Sequence, residues 1–162
     1  MASVASPPRA QIALVALGND WRGDDGAGPA LAARLAARLP GCVVLEPKDT
    51  MALAEALCAA PVVVVLDAAY SGASPGTLHR IDPEKGGLRS STARHSSHAT
   101  DLLEALSLAR ALGRSPGRLA VYALEGERFA HGAGLSAALE RALEPAAEAI
   151  AGEILREEPT DA

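Results

Sequence analysis

The sequence has few aromatic residues, few cysteines and no long apolar run. Aromatic residues make up 2% of the 162-residue chain, which leaves little to stack on a flavin or on nucleic-acid bases. The two cysteines, Cys42 and Cys58, form no CxxC pair, so we expect neither a disulfide scaffold nor a zinc knuckle. The longest apolar stretches, 12–17 and 61–69, are much shorter than the roughly 20 residues of a transmembrane helix. These absences argue against a flavodoxin-like cofactor binder and against a membrane protein.

Clusters of basic residues are also lacking. The formal net charge of −5 and the pI near 5.3 argue against a nucleic-acid binder, which would normally carry a basic surface. Hydrophobic residues make up 49% and charged residues 22%, as in an ordinary globular domain. No signal-peptide pattern is evident, and we expect a soluble cytoplasmic protein. We predict a disordered tail over 1–9, a single domain over 10–157 and a C-terminal tail over 158–162.

Short apolar runs alternate with segments of helical spacing along the chain. The predicted strands cover residues 11–17, 42–45, 61–67, 77–81 and 119–124. The predicted helices lie at residues 29–39, at 50–58 with Thr50 as N-cap, at 102–112, and from 136 onward with an interruption at Pro145. The run PVVVVLD at 61–67 has no polar alternation, which is typical of a strand covered on both faces. The order predicts an α/β fold, a three-layer α/β/α sandwich with a mostly parallel, about five-stranded twisted sheet.

The connection between the fourth strand and the third helix is polar. Residues 82–97 are rich in glycine, serine and arginine, and they predict a mobile surface loop. The strand before this loop is expected to pair antiparallel or to lie at a sheet edge.

Polar residues at three predicted strand ends are candidates for chemistry. Asp24 and Asp25 follow the first strand, Asp67 ends the third, and His98 follows the polar loop. Because parallel strands present their carboxyl ends at one edge of a sheet, these side chains should converge in one crevice. Two carboxylates and one imidazole form a ligand set that suits a first-row transition metal better than calcium or magnesium.

Each candidate also has a plainer interpretation. Asp25 could stabilise the N-terminus of the next helix as a cap. Asp67 is harder to explain without a function, because a carboxylate after VVVVL is costly to bury unless it is paired or used. A loop histidine such as His98 most often has no special role. His95 is expected to be solvated, and the sequence leaves the roles of Glu125 and His131 open.

Two apparent motifs are rejected. Residues 72–76, GASPG, match the GxSxG nucleophile elbow in letters, but a proline and a strand-forming segment follow Ser74 where the elbow needs a helix. The glycines between 18 and 28 lack the GxGxxG spacing, and no GKS or GKT follows, so a dinucleotide or P-loop site is not predicted.

The segment 17–28, LGNDWRGDDGAG, resembles the GN-x-x-x-x-D-[DE]-G-x-G signature of the hydrogenase maturation proteases. These endopeptidases trim the C-terminus of the large subunit of nickel-iron hydrogenases. Further segments are similar to family features in the same order, so that the resemblance extends from Gln11 to about Leu155. They are VVVVLDAAYSG followed by PGTL, SSH before LLEAL, ALEG, and GAGLS.

The resemblance implies a function and a site. Asp25, Asp67 and His98 stand where the family has its metal-contacting carboxylates and histidine, and they are the expected catalytic and metal-binding residues. The implied metal is nickel already inserted in the precursor, not permanently bound by the protease. It would be recognised together with the substrate's cysteine thiolates and would polarise the scissile carbonyl or activate a water. The expected substrate-binding residues are Gly18, Asn19, Asp24 and Gly26.

The chain departs from the family pattern at three positions. Ala16 replaces the first glycine of the frequent GxGN, Trp21 stands where a smaller aliphatic residue is common, and Asp25 replaces the glutamate of some members. Two other functions remain open from the sequence. One is a hydrolase that carries its own metal and acts on a small molecule, and the other is a non-catalytic module that binds the precursor.

Overall fold

The structure, a computed structural model, describes residues 10–83, 98–132 and 134–157. Both predicted tails, His95 and all but the first two residues of the predicted 82–97 loop lie outside these ranges. The predictions made for them therefore stay predictions.

Five strands within the described residues form one sheet. They are β1 (Ile12–Ala16), β2 (Val43–Leu45), β3 (Val62–Ala69), β4 (Leu78–Ile81) and β5 (Arg118–Glu125). Their spatial order is β2-β1-β3-β5-β4. All neighbours pair in parallel except β4, which runs antiparallel to β5 at the edge. The predicted fold class and the antiparallel edge strand are confirmed.

Helices cover both faces of this sheet. A 3-10 turn (Gly23–Gly26) leads into α1 (Ala27–Arg38), followed by α2 (Thr50–Ala56), α3 (Ala99–Ala111) and α4 (Ala137–Glu157). The helices α1 and α4 pack on each other on one face, and α2 and α3 do so on the other. The result is the three-layer α/β/α sandwich that the order of elements predicts. No helix among the described residues is long and apolar enough to cross a membrane.

The central strand β3 contributes side chains to both halves of the core. Val64 and Leu66 pack with α1 and α4, while Val63 and Val65 pack with α2 and α3. All four side chains are fully buried. Because successive side chains of a strand point to opposite faces, an unbroken apolar run is what a doubly covered strand requires.

Two helix details differ from the predictions. The N-cap of α2 is Asp49, not Thr50, because the Asp49 carboxylate accepts the N–H of Ala52 at 2.7 Å. Helix α4 is also not interrupted at Pro145 but continues through it. A proline removes one backbone hydrogen bond. Here the helix buries Leu143 before the proline and Ile150 after it, so packing on both sides holds it together.

The start of α1 is pressed against the ends of two strands. A Cβ atom on Gly28 would lie 2.1 Å from the carbonyl oxygen of Leu17 and 2.6 Å from that of Leu66. Only glycine allows the helix to come this close to the backbone. This contact places the first turn of α1 directly over the carboxyl ends of β1 and β3.

Candidate active site

The candidate site lies at the point in the sheet where the strands that follow β1 in the chain are placed on its two opposite sides. From β1 the chain passes through α1 to β2 on one side, whereas β3 lies on the other side of β1. Open parallel sheets bind ligands at such a switch point, outside the carboxyl ends of the strands. Asp25 follows β1. Asp67 was predicted to end the third strand, but β3 continues for two more residues, to Ala69.

Asp25 is held by the loop that precedes it. The residue is 7% exposed within the 3-10 turn, and its Oδ2 accepts the backbone N–H of Asn19 at 2.9 Å. The N-cap position of α1 belongs to Gly26, and no side chain caps that helix. Asp25 therefore does not act as the helix cap that its position allowed. At Gly18, with φ +117°, a Cβ would lie 2.0 Å from the carbonyl oxygen of Asp25, so this turn also requires glycine.

Asp67 and His98 contact each other directly. The Asp67 carboxylate is 5% exposed, and its Oδ1 accepts the N–H of Ala68 at 2.8 Å and lies 3.0 Å from Nδ1 of His98. His98 precedes α3, and its side chain is 24% exposed. The hydrogen bond to Asp67 raises the pKa of His98 above its usual value, although burial acts in the opposite direction. The imidazole is thus oriented by a buried carboxylate, as metal-binding histidines commonly are.

These three residues form a compact cluster. One possible ligand atom from each of Asp25, Asp67 and His98 lies within 4.8 Å of the others. Two ligands of a common ion at about 2.0 to 2.2 Å can be separated by up to about 4.4 Å, so a small adjustment would bring all three onto one metal. The donor set fits a first-row transition metal. It offers three ligands, fewer than the four to six that such ions take, so the remaining positions would fall to another molecule.

The predicted substrate-binding residues have different surroundings. Gly18 and Asn19 line a cavity of about 690 Å³ that also reaches His98. Gly26 is buried and lines a neighbouring cavity of about 410 Å³. Asp24 is 0% exposed and lines neither of these cavities. The geometry brings Gly18 and Asn19 to the candidate site but gives Asp24 a structural role.

Asp24 ties the 3-10 turn to the loop between β5 and α4. Its Oδ2 accepts the backbone N–H groups of Glu127 at 2.8 Å and Arg128 at 3.0 Å, and its Oδ1 accepts that of Ser136 at 2.7 Å. Burial alone would raise the pKa of Asp24, but these hydrogen bonds together lower it. Asp24 therefore fixes the position of its neighbour Asp25 with a charged, fully bonded side chain.

The sequence left the role of Glu125 open. Like Asp24, Glu125 uses a buried carboxylate to hold two segments of the chain together, and we call these two side chains the carboxylate clamps. It is 1% exposed, and its Oε1 accepts the N–H groups of Ser71 at 2.6 Å and Gly72 at 3.1 Å. Its Oε2 accepts the hydroxyl of Ser71 at 2.9 Å and lies 3.0 Å from Nε2 of His79. Burial favours a higher pKa for Glu125, but the hydrogen bonds from Ser71 and His79 lower it. The loop that follows β3 is thereby fixed to β5.

The segment that resembles a nucleophile elbow has no such geometry. Ser74 lies in the loop between β3 and β4, and the next element is a strand, not a helix. Its carbonyl oxygen accepts the N–H of Thr77 at 3.1 Å and the hydroxyl of the same residue at 2.6 Å. The segment is a turn, and it lacks the strand–turn–helix frame of the elbow.

The fold and the cluster define a class: a three-layer α/β protein with a carboxylate and histidine site at its switch point. The family model described as hydrogenase maturation protease matches residues 47–153, well over half of the chain, and this stretch includes Asp67 and His98. The chain belongs to the hydrogenase maturation protease family, and it is a peptidase. The comparison with curated proteins found no significant match.

Solved structures of such proteases have the same fold. The hydrogenase maturating endopeptidase HybD from E. coli is 24% identical, with 91% of this chain and 94% of that chain covered and a TM-score of 0.76. The [NiFe] hydrogenase maturation protease HybD from Thermococcus kodakarensis is 26% identical, with 89% and 98% covered and a TM-score of 0.74. The [NiFe] hydrogenase maturation protease HycI from the same organism is 23% identical, with 93% and 96% covered and a TM-score of 0.66.

Proposed function

We propose that this peptidase removes the C-terminal extension of a nickel-iron hydrogenase large-subunit precursor after nickel insertion. It uses the nickel held by the precursor to recognise its substrate, and it acts in the cytoplasm. The observation that carries the proposal is the cluster of Asp25, Asp67 and His98, an incomplete ligand set at the switch point that reaches the crevice through His98.

The arrangement supports recognition of a metal that arrives with the substrate. Asp25 and Asp67 are almost fully buried, whereas His98 is partly exposed on the crevice side. The protein thus presents its ligands from one direction only. A metal already coordinated by precursor thiolates could accept them without leaving the precursor.

The chain's own residues orient the reacting parts. Asp67 fixes the His98 ring, and the N–H of Asn19 holds the Asp25 carboxylate at 2.9 Å. When the nickel is in place, it supplies Lewis acidity near the bond to be cut. A precursor without nickel would lack the bonds between the metal and these three ligands, and it would therefore bind the site more weakly.

The proposal is tested with purified protein and two forms of the precursor. Nickel-loaded and nickel-free large subunit are incubated with the protein, and each product is measured by intact mass. We expect trimming of the loaded form only. Equal trimming of both forms would contradict nickel recognition, and trimming of neither form would contradict the C-terminal endopeptidase activity.

Metal analysis of the protein purified alone separates this proposal from its alternatives. Because the nickel belongs to the substrate, we expect much less than one metal ion per chain. A stoichiometric metal would instead favour a hydrolase that carries its own ion. Stable binding of the loaded precursor without any change of mass would favour a non-catalytic binding module.

A further inference from the structure

The single tryptophan of the chain is exposed beside the candidate site. Trp21 is 77% exposed, although its backbone is held on both sides. Its N–H donates to Oδ1 of Asn19 at 2.9 Å, and its carbonyl oxygen accepts the N–H of Gly132 at 2.8 Å. The point from which the indole projects is therefore fixed by the backbone. Tryptophan side chains commonly anchor a binding partner.

The indole and one of the candidate metal ligands, His98, line the same cavity. The cavity of about 690 Å³ is lined by Trp21 at one position and by His98 at another. Pro29, Pro47 and Leu53 add apolar surface to the same wall. A peptide segment that fills the cavity would contact both the indole and the imidazole.

The charges of the cavity define the kind of segment that fits. Its lining holds four carboxylate side chains and one lysine, Lys48. The carboxylates belong to Asp20, Glu46, Asp49 and Asp101. Because negative charge dominates a partly enclosed space, a cationic occupant is favoured and an acidic one is rejected. A guanidinium or ammonium group can also lie on the face of an indole, where the ring attracts it.

We propose that Trp21 and the acidic wall of this cavity select a precursor segment that carries an arginine or lysine side chain. The cation lies against the indole, and Asp20 and Glu46 balance its charge. This proposal rests on the proposed function, since it names the chemistry of the substrate segment that the same site accepts. Trp21 is thereby a specificity residue and not a ligand of the metal.

Steady-state trimming of the nickel-loaded precursor tests this role. We expect Trp21→Ala and the double variant Asp20→Asn/Glu46→Gln each to raise KM about tenfold while kcat changes less than twofold, because these residues bind substrate without touching the reacting atoms. Added salt should raise the KM of the wild type more than that of the double variant. Leu112→Ala and Glu148→Gln remove an exposed leucine and an exposed carboxylate elsewhere, and both should leave KM and kcat unchanged. An unchanged KM in Trp21→Ala would overturn the proposal while the proposed function stands.

A binding measurement keeps the two proposals separate. Because the chain has one tryptophan, 5-fluorotryptophan gives one fluorine NMR signal, from position 21. We expect the unlabelled precursor to shift this signal, and replacement of arginine and lysine by glutamine in its C-terminal region to abolish the shift. A shift without trimming would support the docking role and contradict the proposed function. No shift with a precursor that is trimmed would contradict the docking role alone, and neither shift nor trimming would contradict both.

Discussion

Nδ1 of His98 lies 3.0 Å from Oδ1 of Asp67, although the two residues are 31 positions apart and belong to different elements. The contact joins the end of β3 to the start of α3. It fixes the orientation of the one partly exposed member of the cluster. We expect the proposed activity to depend on this contact and on the neighbouring Asp25.

We expect Asp25→Ala, Asp67→Ala and His98→Ala each to lower trimming of the nickel-loaded precursor at least about 100-fold. The loss of a metal ligand should exceed the 10- to 100-fold effect of losing an outer-shell partner. Asp25 and Asp67 are almost fully buried, and only His98 lines the cavity, so the fold of each variant has to be checked separately. Intact-mass assays measure the loss, and circular dichroism checks the fold. Glu140→Ala, on the exposed face of α4, serves as control, and full activity in any of the three variants would remove that residue from the site.

We expect Asp24→Asn to lower the free energy of unfolding by about 3 kcal/mol at pH 7, since an amide NH₂ would face a backbone N–H where a carboxylate oxygen now accepts. The lowered pKa of Asp24 means that its ionised form stabilises the fold. This stabilisation is fully present above the unfolded pKa of about 3.9 and is lost as the pH falls through the lower folded pKa. Urea unfolding at pH 7 and pH 3 should therefore show a smaller difference between wild type and variant at pH 3. A difference that grows at pH 3 would contradict the assignment.

We expect Gly28→Ala to destabilise the protein by at least about 3 kcal/mol, because the new methyl group would collide with the carbonyl oxygens of Leu17 and Leu66. Gly152→Ala is the matched control. A Cβ at Gly152, inside α4, would have the Arg156 side chain at 3.8 Å as its nearest neighbour. It should stabilise the protein by about 0.5 to 1 kcal/mol through helix propensity. Thermal unfolding measures both changes, and equal effects of the same sign would be inconsistent with the close approach.

We expect Glu125→Gln to loosen the loop from Tyr70 to Gly76. The variant keeps the size of the side chain but replaces one accepting oxygen by a donor that faces N–H and O–H groups. Hydrogen exchange should accelerate about tenfold or more at Ser71 and Gly72. Glu148→Gln, on exposed α4 surface, controls for the loss of a charge. Unchanged exchange in this loop would show that Glu125 does not hold it.

The sequence predicted the layers and the convergence of the three candidate ligands for a physical reason. Apolar runs without alternation predict strands that are covered twice, and parallel strands place their carboxyl ends at one edge. Asp67 and the segment after β1 had to meet there once β1 and β3 were neighbours. The position of His98 was harder to predict, because the polar sequence 82–97 before it has no periodic pattern that indicates where the chain leads.

The two carboxylate clamps could not be predicted in the same way. Asp24 accepts hydrogen bonds from backbone groups 103 to 112 residues further along the chain, and a backbone N–H leaves no residue-type pattern in the sequence. The N-cap of α2 shows a related limit, since Asp49 and Thr50 are both good caps and only the hydrogen bond to Ala52 decides between them. At Pro145, the sequence shows the lost hydrogen bond but not the packing that outweighs it.

The hydrogen bonds of Asp24 leave some residues near the candidate site free to be substituted. Asp24 grips the chain at 127, 128 and 136 by main-chain amides. Glu127 and Arg128 are exposed, so their side chains can be exchanged while these hydrogen bonds persist, whereas Ser136 is buried and its hydroxyl accepts the N–H of Leu139. The candidate ligands can therefore stay in place while exposed residues around the site change. Surface substitutions alone could then adapt one reaction to different substrates.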